Sequence, residues 1–91
     1  MRQETEVAII VGATKALKYK KGSPSAEIER VISHILREVV GKNDVKISAV
    51  AGASKAFEIK ERNPRLNDKE IIQRVMKEID NLSKNFVLEK S

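Results

Sequence analysis

Apolar residues in the second quarter of the chain fall three and four apart. Ile28, Val31, Ile32, Ile35, Leu36 and Val39 share one side, and Glu27, Glu29, Arg30, His34 and Arg37 take the other. That period is the one-sided stripe of an amphipathic helix. Forty residues later the stripe returns as Ile71, Ile72, Val75, Met76, Ile79 and Leu82, with Phe86 continuing it. The correspondence runs without a gap between residues 5–40 and 45–80. Gly12-Ala13-Thr14-Lys15-Ala16 aligns with Gly52-Ala53-Ser54-Lys55-Ala56, Lys20 with Lys60, Pro24 with Pro64, and Glu38 with Glu78. A repeat of this length marks one supersecondary unit used twice, because a lone unit cannot bury its apolar face. Residues 1–91 are therefore expected to form a single domain of two units from an internal duplication, with 81–88 extending the last helix.

The first segment of each unit admits two patterns. Val7-Ala8-Ile9-Ile10-Val11 is β-branched, and Leu17-Lys18-Tyr19-Lys20 and Phe57-Glu58-Ile59-Lys60 alternate. Read as strands, these give an α+β alternative, a duplicated strand-strand-helix unit. The stretches 13–21 and 53–62 are instead rich in residues that favour helix. On helices, Ile10, Ala13 and Leu17 share a face, as do Val50, Ala53 and Phe57. A narrower stripe decides between them. Ala8, Gly12 and Ala16 lie four apart, and so do Ser48, Gly52 and Ala56. Small side chains at that spacing let a second helix backbone approach closely. The predicted fold is all-α: four helices over 5–21, 24–40, 44–62 and 67–87, arranged as two tandem helical hairpins. The first and third helices are expected to cross at Gly12 and Gly52, with the second and fourth laid outside.

The boundaries are signed by local chemistry. Ser23-Pro24 and Asn63-Pro64 each set a capping residue before a proline suited to a first helical turn. A later start for the fourth helix is also marked: Asn67 and Glu70 form a capping-box pair, and Leu66 with Ile71 a hydrophobic staple. Gly41 reads as the glycine that stops the second helix, and Asn43 or Asp44 as the cap of the third.

Composition narrows the function. Ninety-one residues bury a modest core, at a size where oligomerisation often completes it. There is no cysteine, hence no disulfide framework or thiolate metal site. The start carries Glu4 and Glu6, and the apolar run Val7 to Val11 is short, which argues against a signal peptide or a membrane span. The chain is expected to be cytoplasmic. Abundant Lys, Glu, Ile and Val with only two glutamines leans toward a thermophile source. The formal net charge of +5 is dispersed, with bases leaning toward the first segment of each unit.

Candidate chemistry is sparse. His34 sits on the polar face of the second helix, and no set of ligands converges with it, so no metal or cofactor is expected. No carboxylate pair shows the pocket that acid–base chemistry needs. Ile10-Val11-Gly12-Ala13-Thr14-Lys15 lacks the further glycines of a dinucleotide turn and the Gly-Lys-Thr of a P-loop. Lys15 and Lys55 are the charged residues kept in both small-residue stretches. They are candidates for a shared anion site, or for stems laid over the crossing with their ammonium groups in water. Lys15, Lys18, Lys20 and Lys21 form a basic cluster that could touch phosphates. The few aromatic residues argue against base stacking, and neither hairpin carries a recognition helix. Val7 and Val11 fall on the sector of Lys18 and Lys21, away from Ile10 and Leu17. The first helix is thus apolar nearly all round in its first half and wants cover from a second chain, most simply in a twofold dimer. The expected function is a small non-enzymatic interaction or structural module that self-associates. A basic nucleic-acid-associated protein is the alternative, and an enzyme ranks third.

Overall fold

The computed structural model describes residues 3–79 and contains four helices: α1 (Gln3–Gly22), α2 (Ile28–Glu38), α3 (Asn43–Arg62) and α4 (Asp68–Lys77). There is no strand among the described residues, so the strand-strand-helix alternative falls. Leu82, Phe86 and the expected extension 81–88 lie outside the described residues.

The centre of the molecule is the contact of α1 with α3. Ala8, Ala16, Ser48 and Ala56 are buried in it. Gly12 and Gly52 each lie against the backbone of the other helix. A Cβ on Gly12 would overlap the carbonyl oxygen of Ala49 and lie 2.7 Å from its Cα. A Cβ on Gly52 would overlap the carbonyl oxygen of Ile9 and lie 2.9 Å from its Cα. Ile9 and Ala49 are themselves forty apart, so the two contacts are reciprocal. The close approach also turns the buried sector of α1 by one residue. Ile9 is fully buried and Ile10 only half-buried, because the face centred on Ala8, Gly12 and Ala16 must meet α3.

Two apolar clusters flank this crossing. In one, Ile9, Ala13 and Leu17 of α1 pack with Ala56 and Ile59 of α3 and Ile71 and Val75 of α4. In the other, Ala49 and Ala53 of α3 pack with Ala16 of α1 and Val31, Ile35 and Val39 of the α2 segment. Each short helix thus packs on both long ones, and α2 leans more on α3 than on α1. The two halves interlock, whereas side-by-side hairpins would each have kept to themselves. Leu36 and Met76, placed on the apolar stripes by period alone, lie at their outer edges and are exposed.

The short helices begin later than Ser23-Pro24 and Asn63-Pro64 suggest. A residue before proline is pushed away from helical dihedrals. Here the chain makes a turn, with the Ala26 N–H donating to the Ser23 carbonyl at 2.9 Å and the Leu66 N–H to the Asn63 carbonyl at 3.0 Å. A lysine from the preceding helix then binds the turn. Lys20 Nζ donates to the carbonyls of Pro24 (2.7 Å) and Ala26 (3.2 Å), and Lys60 Nζ to those of Pro64 (3.2 Å) and Leu66 (3.1 Å). Helix α4 opens on the Asn67–Glu70 capping box, with both reciprocal bonds formed. Helix α2 opens at Glu27 with no side-chain cap bond, and α3 follows Lys42, so Asn43 and Asp44 are its first residues.

Helix α2 stops at Glu38, earlier than Gly41. Val39 is extended, its N–H held by the Ile35 carbonyl, and Gly41 takes φ +150°, which a side chain would strain.

Removing the turn-binding ammonium is the direct test of its role. Lys60→Met keeps most of the apolar stem and leaves two carbonyls without their charged donor. It is expected to lower stability by roughly 1–3 kcal/mol, read by urea denaturation. Lys69→Met on the exposed side of α4 serves as a control with an effect within about 0.5 kcal/mol.

Candidate interaction surface

The outer edge of α1 carries uncovered apolar side chains, and the short α2–α3 join adds to them. Val7 is 54% exposed, Val11 37% and Val40 90%. Val7 and Val11 line a groove of about 770 Å³ together with Val39, Val40 and Val45. Glu4, Lys15, Glu38 and Lys42 stand around it. Val40 is the member that the sequence pattern missed. Helical periodicity carries through Val39 and Val40, but α2 ends at Glu38, Val39 is extended, and Val40 is left in the link facing solvent. Ile47, forty residues after Val7, is likewise exposed, whereas the position matching Val11 is Ala51.

The candidate lysines do not gather into one patch. Lys20 is 15% exposed, holds the turn carbonyls described above, lies 3.6 Å from Glu61 and sits over the Phe57 ring at 4.9 Å. Lys21 pairs with Asp68 at 3.1 Å, tying the end of α1 to the start of α4. Lys55 bonds Glu58 and Glu78, each at 3.2 Å. Its hydrogen bond to Glu58 raises its pKa, against an opposing effect of burial, and Glu78 adds to the rise. The same bond lowers the pKa of Glu58, with the charges of Lys55 and Arg62 adding. Lys18 is exposed and Lys15 half-buried, and neither has an ion pair among the described residues. Lys15 and Lys55 open on different grooves. Lys15 lines the valine groove, and Lys55 lines one of about 450 Å³ beside Arg62, Arg74 and Lys77.

His34 is half-buried and stacks on Tyr19, with ring centroids 4.5 Å apart. Among the described residues no three His, Cys, Asp or Glu side chains come together as metal ligands. No described helix is long and apolar enough to cross a membrane. In comparison with known proteins, no family model matches the chain, and neither a curated protein nor a solved structure matches it.

Proposed function

We propose that the chain is a small non-enzymatic helical module of the cytoplasm that acts through packing and self-associates along the outer edge of α1. The observation that carries this is the exposure of Val7, Val11 and Val40 around one groove. Covering a valine contributes about 1.5–3 kcal/mol when it is fully buried. A twofold contact uses every such residue twice. The crossing of α1 with α3 is closed to backbone contact, so the long helices have only their outer edges to offer. Phosphate contact has less to support it, because Lys20, Lys21 and Lys55 already bind carbonyls or carboxylates of the same chain.

Sedimentation velocity over a range of concentrations tests the proposal. The wild type is expected to shift from monomer to dimer. A Val7→Lys, Val11→Lys double variant is expected to raise the dimer Kd by about a hundredfold or more, with its helical circular dichroism unchanged. A wild type that stays monomeric at high concentration overturns the proposal, and so does a folded variant that dimerises as well as the wild type.

A further inference from the structure

Resting on that self-association, we infer that two copies meet antiparallel, α1 against α1, with Glu4 of each copy beside Lys15 of the other. Glu4, Val7, Val11 and Lys15 follow at steps of three and four, and all line the same groove. The stripe therefore carries an acid at one end, a base at the other and two valines between. Eleven residues of helix separate the two charges by about 16 Å, so they cannot pair within one chain. Neither has an ion pair or hydrogen bond among the described residues.

The second half of the chain displays what a lysine at this position does when acids surround it. Lys55 is held at 3.2 Å by Glu58 on its own helix and at 3.2 Å by Glu78. In the first half, Lys18 stands where Glu58 does, and Glu38, the mate of Glu78, lines the groove without pairing to Lys15. Lys15 thus lacks the carboxylate that its own helix supplies to Lys55.

A second copy supplies it in one orientation. In an antiparallel pair of helices, facing residues have a constant sum of numbers. A twofold axis level with residue 9 sets Val7 against Val11 of the second copy and Glu4 against position 14, one residue from Lys15. The same axis brings Glu4 within side-chain reach of Lys15 of the second copy, once on each side. A parallel pair would place Glu4 on Glu4 and Lys15 on Lys15, and like charges flanking an apolar seam select against that orientation. The groove is in this sense complementary to itself, which favours a copy of this chain over an unrelated partner as its occupant.

The absence of cysteine makes the register directly readable. Glu4→Cys and Lys15→Cys proteins are oxidised separately and as a mixture. The mixture is expected to give a covalent 4–15 dimer in high yield, and each variant alone little. Dominant 4–4 and 15–15 dimers overturn the register. Charge reversal reads the ion pairs independently. Glu4→Lys or Lys15→Glu alone is expected to weaken the dimer about tenfold, and the two together to restore it within about threefold. Independent, additive losses overturn the pairing. Both side chains lie at the surface, and thermal melts of each variant verify that it is folded. If the wild type dimerises and the valine variant does not, while these register tests fail, self-association stands and the antiparallel register falls. If the wild type never dimerises, both fall.

Discussion

Gly12→Ala and Gly52→Ala are each expected to lower stability by roughly 1–3 kcal/mol or more, an overpacking cost, although alanine is the better helix former. The cause is backbone against backbone. The added methyl at residue 12 overlaps the Ala49 carbonyl, and the one at residue 52 overlaps the Ile9 carbonyl. A flexible side chain could swing aside, but a carbonyl inside a helix cannot. The whole of α3 must move away from α1, opening both flanking clusters together. For a domain of this size the loss corresponds to a fall in melting temperature of about 4–8 °C for each kcal/mol. Gly22→Ala provides the internal control. Nothing lies within 4 Å of a Cβ there, so the substitution is expected to be neutral or to stabilise by up to about 1 kcal/mol through helix propensity. A Gly12→Ala protein that melts with the wild type would place the close approach elsewhere. A large loss at Gly22 would show that the loss at Gly12 reflects glycine itself and not the contact.

Ile71→Ala is expected to cost about 2–5 kcal/mol, and Met76→Ala less than about 0.5 kcal/mol. The two residues are five apart on α4, and hydrophobic period alone places both on its apolar stripe. Ile71 is fully buried against α1 and α3, in the cluster with Ile9, Leu17 and Ile59. Its truncation leaves a cavity that Gly12 and Gly52 prevent from collapsing, since the long helices are already in backbone contact. Met76 is 54% exposed, at the outer edge of the stripe. Denaturant unfolding of the two variants side by side checks the contrast. Equal losses would mean that α4 is rotated from the orientation described, and so would a negligible loss at Ile71.

The helical nature of the chain was legible because its evidence is local. A three-and-four spacing needs only the geometry of one helix. A capping box needs only Asn67 and Glu70, and both of its bonds form as the spacing requires. The small-residue stripe told helix from strand in the first segment, since a β-turn at Gly12 has no use for Ala8 and Ala16 as well. Local signals misled where a second element competed for the same backbone. Ser23-Pro24 has the chemistry of a helix start, yet Lys20 draws the carbonyls of Pro24 and Ala26 outward and holds them in a turn. The identity of Lys20 and Lys60 was visible in the sequence. The six-residue reach from lysine to the Ala26 and Leu66 carbonyls was not, because it depends on how the chain doubles back.

The interaction surface divides in the same way. Sequence alone sets the charge and apolar order along α1, from Glu4 through Val7 and Val11 to Lys15, because a helix carries that order in its own period. Which side of α1 stays uncovered is a property of the assembled molecule. Contact at Gly12 sends Ile9 inward, and it leaves Val7 and Val11 outside. Val40 joins them only because α2 ends at Glu38 and the chain leaves it through the extended Val39 into the link to α3. Helical period describes a residue against its own axis. Burial depends on where the neighbouring axes lie, and here those positions follow from two glycines that let α1 and α3 touch.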